Sequence, residues 1–263
     1  MKKFTLALCY ALFSISGFTQ EKFGDEDFIQ DGTDLEDKIQ NPIANMASIP
    51  LEYNLSVFDK NTNVLNIQPI IPIKISEKWV LITQTTLPIM NKPTSTGYEN
   101  GLGNITFLTT ITSAEPSNFT WGVGPVFMFP SVNKSLGFNK LSIGPSVTVV
   151  KQTKGFTFGL TLQNFFSVAG SSSTDNVNYL YSQILLSKKL KNDWYLYSSP
   201  NITANWNAET GQQWSIPLGA GAGKLITHNK YLPINFNAGI FKYVAHPTNA
   251  DWLLQVQATF ILK

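Results

Sequence analysis

The feature that most constrains this chain is a period-two alternation of apolar and polar residues that begins near residue 48 and runs to the C-terminus. It is cut by turn-rich stretches into twelve segments of about 11 to 14 residues: 48–58, 63–75, 79–90, 101–111, 118–130, 140–150, 156–168, 177–187, 194–206, 213–225, 231–244 and 252–262. Strands of soluble sandwiches are shorter, with a mode of about five or six residues. In the segment 156–168, one face carries Phe156, Phe158, Leu160, Leu162, Phe166 and Val168, and the other Thr157, Gly159, Thr161, Gln163 and Ser167, with Asn164 and Phe165 out of pattern. The last segment repeats the rule, Trp252, Leu254, Val256, Ala258, Phe260 and Leu262 opposing Gln255, Gln257 and Thr259. No later stretch approaches the roughly 18 uncharged apolar residues of a membrane helix. Backbone groups in lipid must be paired internally, so strands that span a membrane must close. The expected fold is all-β: a transmembrane antiparallel up-and-down β-barrel of 12 strands.

Residues 1–19 read as a secretory signal peptide: Lys2 and Lys3, an apolar run over 4–13, then small or polar Ser14, Ser16, Gly17 and Thr19 before Glu21. Cys9, the single cysteine of the chain, falls within that leader, so thiol chemistry is not expected of the mature protein. All 19 basic residues are Lys, and without the leader 17 Lys face 17 acids. Nucleic acid is not an expected partner, since no basic patch with Arg exists. Residues 20–45 form an acidic N-terminal segment in which Asp34 can cap a short helix carrying Leu35 and Ile39 before Pro42 ends it, a plug or, preferably, a spacer. Residues 46–263 are the expected barrel.

The connections alternate in length. The even ones are short (76–78, 112–117, 151–155, 188–193, 226–230), whereas the odd ones after the first (59–62) are longer or rich in Gly, Ser and Asn (91–100, 131–139, 169–176, 207–212, 245–251). Outer-membrane barrels have short periplasmic turns and longer outer loops, which places both termini in the periplasm. Trp79, Trp121, Trp194, Trp206, Trp214 and Trp252 all fall near segment ends on the apolar face, as an interfacial aromatic girdle requires. Pro69, Pro125, Pro145, Pro200 and Pro217 lie inside segments, where they cannot donate to a ladder, and must sit at bulges or kinks.

Parity turns a largely uncharged set inward: Asn66, Gln68, Gln84, Thr148, Thr161, Gln163, Gln183, Tyr195, Tyr197, Asn201, Thr203, Asn235, Asn237, Gln255 and Gln257, with Glu52 and Lys74 as the clear charged members. Without a charged ring to discriminate by sign, weak ion selectivity is expected of any pore. Only two histidines exist, His228 and His246, so a multi-His metal site is excluded and no cofactor is implied. A phospholipase site of His246, Asp251 and one of Ser171, Ser172 or Ser173 has no supporting spacing. The run 219–224, GAGAGK, lacks the glycine spacing and the Ser or Thr of a phosphate loop, and it reads as relief of curvature or crowding. An enzyme is therefore not expected.

The runs NPIANMASIPLEYN (41–54), NVLNIQPIIPI (63–73), WGVGPVFMFP (121–130) and WYLYSSPNITANWNAETGQQWSIPLGAGAGK (194–224) resemble the bacterial outer-membrane family associated with the MetA pathway of phenol degradation, some members of which are mislabelled neuromedin U. The resemblance covers nearly all of the chain after Gln40 and implies a β-barrel transporter without established catalytic residues. The sequence thus points to an outer-membrane channel or transporter, in contact with outer-membrane lipid, that passes or binds small, mostly uncharged solutes, aromatic ones included. The alternative is a non-conducting surface barrel that binds a partner through its outer loops.

Overall fold

In a computed structural model, the structure describes residues 32–115, 117–228, 231–248 and 250–262. The leader and all five acids before Asp34 lie outside the described residues. Helix α1 (Gly32–Ile39) is followed by β1 (Ser48–Val57), β2 (Thr62–Ile67), β3 (Ile70–Lys74), β4 (Trp79–Thr94), β5 (Gly97–Leu102), β6 (Thr106–Ser113), β7 (Phe119–Met128) and β8 (Leu141–Thr153). Then come β9 (Phe156–Ala169), β10 (Asn178–Lys189), β11 (Trp194–Ser198), β12 (Asn201–Asn205), β13 (Trp214–His228), β14 (Tyr231–Ala245) and β15 (Trp252–Ile261).

Three spans are divided. β2 and β3 are halves of one strand broken at Gln68 and Pro69, β11 and β12 are halves broken at Ser199 and Pro200, and β5 leads into β6 across residues 103–105. The fifteen strands therefore make twelve spans, each antiparallel to the next. The ring closes where β1 pairs β15 over ten residue pairs, from Ser48↔Ile261 to Val57↔Trp252. The result is a closed 12-strand antiparallel barrel. We call the end at Ser48 and Ile261 the terminal end and its opposite the far end.

The prolines occupy breaks that the ladder tolerates. Pro69 and Pro200 sit in the two strand interruptions, and Pro217 at a register shift next to Ile216. Pro125 and Pro145 lie directly opposite each other. Because neither can donate, theirs is a non-hydrogen-bonded pair whose missing donors face away, toward β6 and β9. The ladders are interrupted on those outer sides, between Leu108↔Val126 and Ile111↔Val123, and between Ile143↔Phe166 and Ser146↔Gln163.

The outer face is an apolar belt. Ile71, Ile73, Val123, Val147, Phe158, Leu162, Leu196, Phe236, Ile240 and Val256 are all exposed. All six tryptophans are on it, each 36% to 46% exposed. Trp79, Trp121 and Trp194 ring the terminal end and Trp206, Trp214 and Trp252 the far end. Trp79 meets Trp121 edge-on at 6.2 Å, and Trp206 meets Trp214 at 5.3 Å. Lys224 lies over Trp194 and Lys242 over Trp252, their ammonium groups 5.3 and 5.1 Å from the ring centroids. Beyond the belt at the far end, Tyr53 Oη donates to Asn63, Asn63 to Asn91 and Asn91 to Asn100 (2.6, 3.1 and 2.8 Å), a polar ladder across four strands.

Three features differ from the sequence reading. Residues 91–100 are a paired hairpin, Asn91↔Asn100 to Thr94↔Gly97, because backbone pairing outlasts the hydrophobic alternation. Residues 131–139 fold inward: Asn104 Nδ2 donates to the Phe129 and Phe138 carbonyls (2.8 and 2.7 Å), its Oδ1 accepts from Phe138 N (2.7 Å), and Leu136 is buried. Helix α1 begins at Gly32, so Asp34 lies within it rather than at its cap.

Leu160, on the outward face near the middle of β9, is the position where charge should be least tolerated. Leu160→Arg should lower refolding stability in lipid by about 2–4 kcal/mol. Gln163→Arg, which points into the lumen, should fold near-normally by heat-modifiable migration in detergent gels, and equal damage from both would contradict the facing assigned to β9.

Candidate functional site

The lumen holds two adjoining chambers that share part of their lining. The terminal chamber, of about 180 Å³, is lined by Tyr195, Tyr197, Asn235, Asn237, Gln255 and Gln257. The far chamber, of about 700 Å³, is lined by Asn66, Gln163 and Asn201 among others. Glu52, Gln68, Gln84 and Gln183 line both, and we call this shared lining the neck. Thr148, Thr161 and Thr203 line neither: Thr148 and Thr161 face inward but are buried in the filled wall, their hydroxyls 3.0 Å apart.

The interior is less uniformly polar than parity suggests. Val126, Met128, Phe165 and Val177 form a buried cluster with Leu108, Phe138, Tyr179 and Tyr181 against it, and all of these except Val177 line the far chamber beside its amides. Alternation through β9 is in fact unbroken. Phe165 simply points inward, and Asn164 points outward, where its Oδ1 accepts the Trp206 indole N–H at 3.0 Å. Lys74 is not in the lumen; it is exposed and pairs with Glu77 at 2.8 Å in the following turn. The cations that do line the far chamber are Lys92, at the end of β4, and Lys134, from the inturned loop, which sequence parity missed because both lie beyond the alternating segments.

The glycines of β13 explain how the tyrosines fit. Tyr195 pairs with Gly223 and Tyr197 with Gly221. A Cβ on Gly223 would lie 2.2 Å from Tyr195 Cζ, and one on Gly221 would lie 2.5 Å from Tyr197 Cε1, so the rings lie flat over bare backbone. The GAGAGK run is a seat for two aromatic rings. Tyr195 Oη donates to Asn235 Oδ1 at 2.9 Å.

The terminal end is crossed by the strap 40–47 that follows α1. Ile39, Gln40, Asn41, Pro42, Ala44 and Met46 floor the terminal chamber. Met46 is buried with Leu225 and Ile261, against which Leu35, Ile39 and Ala44 pack. Lys189 pairs with Asp37 at 2.7 Å and Glu36 at 3.3 Å, and Gln152 Nε2 donates to the Asp37 carbonyl at 2.9 Å. Burial pushes the Glu36 carboxyl above its ordinary range, reinforced by a hydrogen bond with Asp193 and opposed by Lys189. The segment is packed in place rather than a free spacer.

At the far end, burial lowers the His246 imidazole below its ordinary value, with Lys92 adding to the effect. His246 Nδ1 faces Thr248 Oγ1 at 2.9 Å, and its ring is tilted by 60° against Tyr243 with the centroids 4.5 Å apart. Among the described residues, none of Ser171, Ser172 and Ser173 is hydrogen-bonded to it; Ser171 and Ser173 bond each other at 2.7 Å. Nor, among the described residues, does any group of three His, Cys, Asp or Glu side chains have an arrangement that could hold a metal ion.

No family model and no curated protein sequence matches the chain. Solved structures do. The COG4313 outer membrane channel from Pseudomonas putida F1 is similar over 82% of this chain and 96% of its own, with a TM-score of 0.63 at 15% identity. A structure of the NanC porin is similar over 82% of this chain and 99% of its own, with a TM-score of 0.54 at 10% identity. At these identities the likeness establishes the fold alone, the closed antiparallel β-barrel that these outer-membrane proteins also have.

The Gly–Tyr seat yields a specific test. Gly223→Ala should destabilise the barrel by about 1–3 kcal/mol through overpacking against Tyr195. Tyr195→Ala should absorb most of that loss in the double variant, a non-additivity readable in urea refolding curves.

Proposed function

We propose that this protein is an outer-membrane channel that passes or binds small, mostly uncharged solutes, with aromatic ones favoured, and that both termini are periplasmic. The observation that carries the reading is the far chamber: a roomy lumen whose apolar and aromatic side chains alternate with amides, and which shares Glu52, Gln68, Gln84 and Gln183 with a second chamber. Such a chamber buries the flat body of a solute against the rings and hydrogen-bonds its polar edge to the amides. The orientation is supported by the terminal-end turns, which are short (75–78, 154–155, 190–193), against longer far-end connections such as 129–140 and 170–177. Membership of the phenol-pathway family that the sequence resembles is part of this proposal and agrees with an aromatic-lined chamber.

In this reading the strap is a plug whose release widens the passage. A second reading, a non-conducting surface barrel that binds a partner, is favoured by one observation: the strap covers the terminal end while loop 129–140 folds into the far end. Planar-bilayer recording separates the two. The folded protein should give small conductance steps, and Lys189→Ala with Gln152→Ala, which loosens the strap, should enlarge them. Silence from both folded proteins would reject the channel.

A further inference from the structure

We propose that Glu52 makes the neck a binding site for a small monovalent cation, held by the carboxylate and the surrounding amide oxygens. Glu52 is only 7% exposed, yet it lines both chambers. Asn54 Nδ2 donates to its Oε1 at 2.5 Å and Asn66 Nδ2 to the same oxygen at 3.0 Å. Gln255 Nε2 donates to Asn54 Oδ1 at 3.1 Å, which keeps the amino group of Asn54 turned to the carboxylate. Oε2 accepts no hydrogen bond from the described residues, and no lysine among them is ion-paired with Glu52.

A buried carboxylate held by two neutral amides is short of one positive charge, and ionisable groups inside spanning elements pair with a counter-charge or mark an ion path. Among the described residues no ion-paired lysine supplies that charge. Lys74, which parity placed in the same lumen, is spent on Glu77 in the turn. Lys92 is remote, since Asn66, the partner of Glu52, pairs with Pro88, and Lys92 lies four residues further along β4. At about 3.3 Å per residue that is roughly 13 Å toward the far mouth. Lys134 belongs to the loop at that mouth.

A second observation in the same row of the wall, two strands away across Gln257, points the same way. Asn237, 7% exposed and lining the terminal chamber with Glu52, has an Oδ1 that accepts nothing among the described residues. Tyr197 Oη of the same chamber is also without a partner among the described residues, but a neutral hydroxyl brings no charge, so an orphan acceptor and an under-coordinated carboxylate leave the place of a cation open. One formal negative charge matches one positive charge. Carboxylate and amide oxygens can replace the hydration shell of an alkali ion or accept from a primary ammonium group. The site does not depend on solute passage, so it stands or falls separately from the channel reading.

Reversal potentials in gradients of KCl and of methylammonium chloride test it. Against the weak selectivity that an uncharged lining alone implies, the native protein should prefer cations over chloride by roughly tenfold, about 1.4 kcal/mol, and Glu52→Gln should bring the ratio near unity. Gln183→Glu added to that variant puts a carboxylate back at the neck and should restore the preference; added to the native protein it should increase it. Preference for potassium alone identifies a metal-ion site, and preference for both cations a site that also takes protonated amines. Absent cation preference, or an unchanged ratio in folded Glu52→Gln, overturns the proposal. If no variant conducts, the melting temperature is compared in KCl and in N-methylglucamine chloride at equal ionic strength. Potassium should stabilise the native protein and not Glu52→Gln, and equal shifts overturn the proposal.

Discussion

The pairing of the first strand with the last is the contact on which the rest of the molecule depends. In lipid, an unpaired backbone N–H or C=O costs several kcal/mol, and an open edge would expose a row of them. The ten-residue ladder between β1 and β15 removes that edge. Once the ring is shut, every residue faces either out or in. The outer set becomes the apolar belt with its two tryptophan rings, and the inner set has no solvent to return to except the lumen itself.

Closure also dictates how irregularity is accommodated. A barrel has no edge on which to place proline, so the strand prolines sit in strand breaks, at a register shift, or back to back across β7 and β8 with their missing donors turned to interrupted ladders. Closure crowds the interior as well, and β13 meets the crowding with glycines under Tyr195 and Tyr197. What the glycines leave free is occupied at the terminal end by the strap, held against the wall by apolar contacts at Met46 and by the ion pairs of the preceding α1 with Lys189. The lumen is thus a sequence of filled and open zones, with the neck at Glu52 between the two open ones.

Much of this was legible because strand facing has a period of two and cannot drift. The twelve spans, the outward tryptophans and the amides of the two chambers all follow from alternation alone. Alternation fails where residue type and direction part company. Phe165 is apolar and points inward, and Asn164 is polar and points outward to Trp206, so the apolar wall of the far chamber was invisible from β9. It also ends where side chains cease to alternate although the backbone still pairs, which hid the hairpin over 91–100 and with it Lys92. The inturned loop 131–139 depends on Asn104, some 30 residues away in sequence, and a contact of that kind leaves no periodic trace. Lys74 fits the inward parity, but its long side chain reaches the turn, and there Glu77 holds it.

The account stands on closure, and closure can be trapped chemically. Leu55 of β1 pairs with Leu254 of β15 on the outward face, clear of the lumen. In a protein with Cys9 replaced, Leu55→Cys with Leu254→Cys should form an intramolecular disulfide on oxidation of the folded, heat-modifiable species, visible as a compact band in non-reducing gels. A folded double variant that remains reduced, or that cross-links only between molecules, would contradict a barrel closed between its first and last strands.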